Sequence, residues 1–179
     1  AGGVIGGNGN ATIQAAGLTN SGTITIAQGL NAKVTGTLDN SHGNLSGTTL
    51  TASASTLKNA QGTISGNSVA LTVPQLENSG GQIATNQLSV HATNLTNEGG
   101  TLTQLGGGAM TMDVSNAIDN SHSGTIQSNS ADMTLAPATL NNNAGTITHA
   151  GTGTLTINAN HGSGALSNVN GHIEGNGQI

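Results

Sequence analysis

Any chemistry this chain performs must come from few residues. Its carboxylates are Asp39, Glu77, Glu98, Asp113, Asp119, Asp132 and Glu174, and its imidazoles are His42, His91, His122, His149, His161 and His172. Lys33 and Lys58 are its only lysines; Arg and Cys are absent. A pair of carboxylates at a set separation can hydrolyse a glycosidic bond. A strong base beside cations or Ca²⁺ can eliminate across a polysaccharide linkage. Histidines at short spacing can hold zinc. Nothing here meets those needs. No HxxxH, HExxH, GxSxG or phosphate-loop pattern occurs, and "GGNGN" near the start lacks the Asp of Ca²⁺-binding repeats. No catalytic, cofactor-binding or metal-binding residue is expected.

Composition narrows the field further. The 179 residues contain no Phe, Trp or Tyr, 29 Gly, 5% charged residues and 33% hydrophobic residues, with a net charge of −5. Disorder needs fewer aliphatics and more net charge than this. With two lysines and no arginine there is no basic patch for nucleic acid or for anionic lipid. No apolar run is long enough to span a membrane, and no signal peptide is present. The length suits one domain, and the chain reads as a section cut or processed from something longer. The lack of Cys is compatible with a surface protein that avoids disulfides before export.

The elements that would position these side chains declare themselves by repetition. Leu-x-Asn begins at Leu18, Leu38, Leu57, Leu76, Leu95, Ile118, Leu140 and Leu166, at spacings of 20, 19, 19, 19, 23, 22 and 26 residues. The asparagines are Asn20, Asn40, Asn59, Asn78, Asn97, Asn120, Asn142 and Asn168. The glycines that follow are Gly22, Gly43, Gly62, Gly81, Gly100, Gly124, Gly145 and Gly171. Two residues after each Gly stands an aliphatic: Ile24, Leu45, Ile64, Ile83, Leu102, Ile126, Ile147 and Ile173. An alternating triplet then leads to the next Leu, as in Val69-Leu71-Val73, Met110-Met112-Val114 and Met133-Leu135-Pro137. Period two marks strands with one buried face, and almost no helix is expected.

Repeats of about twenty residues with short strands and turns predict an all-β fold, a parallel β-helix (β-solenoid) of about 8–9 coils of 19–26 residues. At a strand separation of about 4.8 Å the rod would be roughly 40 Å long. Leu and Ile point inward. Gly is expected to supply a positive φ at a tight corner. Asn, stacked in register, can bond the amides above and below it. The segment divides into an N-terminal partial coil (1–17), regular coils (18–117) and longer coils (118–179). Insertions fall near Gly106–Gly108, between Gln127 and Ala131, near His149–Gly153 and at His161–Gly164.

The repeat also disposes of the chemical candidates. Asp39, Lys58 and Glu77 share one slot in successive coils and should stack along an edge as a charge ladder of small energy. His42 and His122 share another slot, four coils apart, or roughly 19 Å. Outward pairs Thr23/Thr25, Thr101/Thr103 and Thr146/Thr148 resemble a flat ice-binding array. Asn44/Ser46, Gln82/Ala84, Thr125/Gln127 and His172/Glu174 interrupt it.

"LKNAQGTISGNSVALTV" (57–73) and "LENSGGQIATNQLSVHA" (76–92) resemble the filamentous haemagglutinin repeats of large bacterial exoproteins, and the resemblance covers 18–179. It implies a right-handed parallel β-helical filament, exported by two-partner secretion through a dedicated outer-membrane pore to the Gram-negative cell surface. Members are adhesins or contact-dependent growth inhibition proteins that carry a toxin. The family's secretion domain carries Asn-Pro-Asn, whereas this chain has only Pro74 and Pro137, so it resembles shaft. Two functions stand open: a shaft that presents cargo, its partners being neighbouring repeats and the export pore, or a direct adhesin that binds a surface glycan or receptor. An ice-binding or polysaccharide-active β-helix ranks below both.

Overall fold

The computed structural model describes residues 2–179. The chain is a parallel β-solenoid of about eight turns. Nearly every strand joins one continuous sheet of 17 strands, and a second sheet has two. Each coil contributes to three ladders, separated by corners. In the first ladder Val4–Gly7 pairs with the start of Thr23–Val34, and the stack runs on to His172–Gly175. In the second, Ala11–Ala15 pairs with Leu30–Val34 and the stack continues to the strand that begins at Thr111. Met133–Leu135 and Leu155–Ile157 then form the separate pair. The third holds Leu18–Thr19 at one end and Ala165–Ser167 at the other.

Alternation sets which side chains enter. Along Asn44–Ser53, Leu45, Leu50 and Ala52 are buried while Asn44, Thr49 and Thr51 face outward. Equal residues meet equal residues between coils, as in Ile64↔Ile83↔Leu102 and Leu57↔Leu76↔Leu95. The interior therefore consists of aliphatic columns rather than a globular core. Each fully buried Leu or Ile removes apolar surface worth about 1.5–3 kcal/mol from water. End coils lack a neighbour on one side, which leaves Ile5 50% and Leu166 51% exposed.

Several local features differ from the sequence reading. The first rung is older in the chain than the Leu-x-Asn count suggests, because Gly3-Val4-Ile5 lies in register beneath Gly22-Thr23-Ile24. Met110 precedes its strand, and only Met112 and Val114 are buried. A single 3₁₀ turn, Ala159–Gly162, occupies the last long insertion, with Asn160 and His161 at φ of 43° and 52°.

Candidate functional site

The eight repeat asparagines stand in one column. Asn20 Nδ2 donates to Asn40 Oδ1 at 2.7 Å, and the same link joins Asn40 to Asn59, Asn59 to Asn78, Asn78 to Asn97, Asn97 to Asn120, Asn120 to Asn142 and Asn142 to Asn168, all at 2.7–2.8 Å. Asn40, Asn59, Asn78, Asn97, Asn120 and Asn142 have no exposed surface. From Asn40 to Asn142 each Nδ2 also faces two carbonyls: Asn40 Nδ2 lies 3.3 Å from Gly43 O in its own coil and 3.1 Å from Thr63 O in the next, while Asn20 Nδ2 faces Asn44 O alone. A flipped amide would press Oδ1 against both carbonyl oxygens. The backbone thus fixes the direction of every link, with donors toward the C-terminal end. A column of buried amides is tolerable only because it is satisfied throughout.

The repeat glycines have a different job from the one expected. None of Gly22, Gly43, Gly62, Gly81, Gly100, Gly124, Gly145 and Gly171 has a positive φ. In every coil but that of Gly22 the positive φ belongs to the residue before: His42 (59°), Gln61 (54°), Gly80 (62°), Gly99 (60°), Ser123 (69°), Ala144 (55°) and Asn170 (55°). What demands Gly is crowding. A Cβ on Gly81 would stand 2.0 Å from Asn59 O and 2.7 Å from Asn78 Oδ1, and Gly62, Gly100, Gly145 and Gly171 meet the same carbonyl of the coil before. Glycine and asparagine are two halves of one contact between adjacent coils.

Structure separates the charged candidates from one another. Asp39, Lys58 and Glu77 do stack in register, yet among the described residues every ion pair involves a histidine: His91–Asp113 at 3.2 Å, His122–Glu98 at 3.6 Å and His172–Glu174 at 2.9 Å. All three are exposed. Ser121 Oγ and Glu98 both approach the same nitrogen of His122, Nδ1, so they cannot form a relay through the ring. Asp39, Asp119 and Asn141 each accept the backbone N–H two residues on, from Ser41, Ser121 and Asn143, the Asx-turn that shapes this corner. Ser41, first through its side chain and then its backbone, holds the Asp39 carboxyl below its ordinary value, with a smaller pull from Lys58 and His42. His172 and then Thr148 do the same for Glu174. No group of three or more metal-binding side chains occurs among the described residues.

A second polar column, at the corner between the first and second ladders, escapes the sequence reading. Its rungs pair as Ile26↔Gly47, Gly66↔Thr85, Thr85↔Gln104, Gln104↔Ser128 and Ser128↔His149. Thr85, Gln104, Ser128 and His149 are buried. Thr85 Oγ1 lies within donating distance of both Asn67 O and Gln87 O. Gln104 Nε2 donates to Gly106 O and Gly108 O, and its Oε1 accepts Leu88 N–H at 2.8 Å. His149 Nε2 donates to Ser130 O at 2.8 Å. Where the rung is Gly the corner is tight. Where it carries Gln104, Ser128 or His149, that side chain bonds into an inserted loop, whereas Thr85 bonds the regular corner. The signal in the sequence was a polar residue at an inward place beside three of the insertions, Gln104, Ser128 and His149.

Over 179 residues the chain is 43% identical to a protein named tRNA nuclease CdiA-2, from Burkholderia pseudomallei. The likeness is to one segment of it. CdiA-2 is far longer: the match takes in 99% of this chain and 6% of CdiA-2. No family model matches the chain, nor does any solved structure. Among the described residues no helix is long and apolar enough to cross a membrane.

Proposed function

We propose that this chain is a length of shaft in a large secreted bacterial surface filament, which holds adhesive or toxin cargo away from the producing cell. The observation that carries the reading is the repeated interior contact, in which each coil offers the next the same Asn, Gly and aliphatic in register. Such a rod can be lengthened coil by coil without redesign. The likeness to a 6% stretch of CdiA-2 supports it, as does the resemblance of the repeats to those of filamentous haemagglutinin. On this reading the chain catalyses nothing, and the nuclease chemistry in the relative's name lies outside the matched stretch. Residues 1–17, 18–117 and 118–179 form one repeat segment. Its partners are neighbouring repeats and, during export, an outer-membrane pore of the two-partner kind. A target-cell receptor is engaged by other parts of the filament. The location is the outside of a Gram-negative cell, with neither nucleic acid bound nor membrane entered.

In-frame removal of whole coils from the parent filament tests this. Export should persist while contact-dependent activity falls with reach. The purified segment should show no saturable binding to target cells. Saturable binding would replace the shaft with a direct adhesin.

A further inference from the structure

We infer that this solenoid bends at one level, by opening its second face between residues 111–114 and Met133–Leu135 while its other two faces stay closed. Among the described residues the second ladder alone is interrupted. It is paired before the break, where 89–92 meets 111–114, and after it, where Met133–Leu135 meets Leu155–Ile157. Between 111–114 and Met133–Leu135 there is no pairing. Asn129 N–H donates to Gln104 O at one margin of the break, and Ala138 N–H to Ser115 O at the other. From 130 to 137 no backbone hydrogen bond reaches the coil before.

The bonds at its margins show which groups face the gap. Met133 N–H donates to Thr154 O, and Leu135 O accepts Asn158 N–H, so Met133 and Leu135 face the coil after. In a parallel ladder alternate residues turn their backbone groups to the same neighbour. Thr134 and Ala136 therefore turn theirs toward the gap. With Met110, Thr111, Met112 and Asp113 they line a groove of about 300 Å³. Both coils carry an insertion at the corner that leads into this face, and each ties its insertion to itself. Gln104 Nε2 bonds Gly106 O and Gly108 O in one coil, and Ser130 Oγ bonds Asp132 O in the other.

The interior at this level suits movement. All three methionines of the chain, Met110, Met112 and Met133, stand here, and an unbranched thioether repacks readily when the space around it changes. The opposite side of the rod is tied. Thr101–Gln104 pairs with Thr125–Ser128, and 117–119 with Thr139–Asn141. At the corner between those two faces the links from Asn97 to Asn120 and from Asn120 to Asn142 run unbroken. That corner is the pivot, and opening the second face tilts the coils from 125 onward against those before. The inference is independent of the shaft reading.

Double electron–electron resonance on the whole chain, which has no Cys of its own, tests it. Three pairs of spin-labelled cysteines, each at exposed positions four coils apart, or about 19 Å by strand separation, compare the faces. Thr72→Cys with Thr156→Cys crosses the gap on the second face. Gln82→Cys with His172→Cys crosses the same level on the first face, beside the pivot. Lys33→Cys with Asp113→Cys stays on the second face before the gap. The first pair should give the broadest distance distribution, with a tail to longer distances, and the other two should be narrow. Three equal distributions, or the greatest breadth in either of the other pairs, overturn the inference. If a labelled variant does not fold, residue-resolved amide exchange of the unaltered chain decides. Thr134 and Ala136 exchanging much faster than Met133 and Leu135 upholds it, and equal protection of all four overturns it.

Discussion

At the scale of single residues, the repeat is a contact shared between two coils, and its members should be unequal to outward positions of similar composition. Asn78→Leu leaves Asn59 Nδ2 without its Oδ1 acceptor and strips Gly81 O and Thr101 O of a donor. With an unmet buried group costing about 1–3 kcal/mol, the variant should lose about 3 kcal/mol in urea denaturation, whereas Thr111→Ser should change little. The two adjacent glycines differ in kind. Gly81→Ala drives a Cβ into Asn59 O, while Gly80→Asn has only to hold φ at 62° with its nearest obstacle the Gln61 side chain. The first should be severe and the second mild, about 1 kcal/mol or less, as expected for Asn in the left-handed region. Asp39→Asn isolates a charge, because Asn141 makes the same turn uncharged. The folded Asp39 carboxyl is held low, so its contribution is present above the ordinary Asp value of about 3.9 and fades as pH drops through the folded value. At this partly exposed position it should be about 0.5 kcal/mol. Melting curves of the two forms should differ slightly at neutral pH and coincide in strong acid.

At the scale of elements, the coil is the unit that can be lost. Leu95 pairs with Leu76, so deleting 76–94 joins Gln75 to Leu95 with every inward residue still inward. Circular dichroism should keep its strand signal and a cooperative melt. Deleting 86–94 breaks the count and should abolish both, since period two leaves no slack in register. This regularity explains what was legible. Inward aliphatics such as Leu57, Ile64 and Val69 announce strands by alternation, and the Asn column follows from spacing alone. The Gly81 contact was not legible, because positive φ and absence of room leave the same letter in a sequence. Gln104 and His149 were missed for a related reason. They occupy inward places that elsewhere hold Gly47 or Gly66, and a polar letter there looks like loop until its backbone partners are seen, Gly106 O, Gly108 O and Leu88 N–H for Gln104 and Ser130 O for His149.

At the scale of the whole molecule, the ends differ from the shaft. Val4, Ile5, Leu166, Val169 and Ile179 are the large exposed aliphatics at the two ends, and Leu105 is the exception between them. Open strand edges beside apolar rungs invite pairing with another chain. The isolated segment should self-associate with rising concentration in sedimentation experiments, and Ile5→Lys with Leu166→Lys should suppress it. The directed Asn column has an electrical consequence. Strand amides alternate along the axis and nearly cancel, but the seven Asn links all point one way. If each side-chain amide carries about 3.5 D, as a peptide does, their sum approaches on the order of 20 D along the rod. A weakly charged rod of this kind is a permanent dipole whose moment grows with every coil added, and in an electric field long segments should turn end-on with the same end always leading.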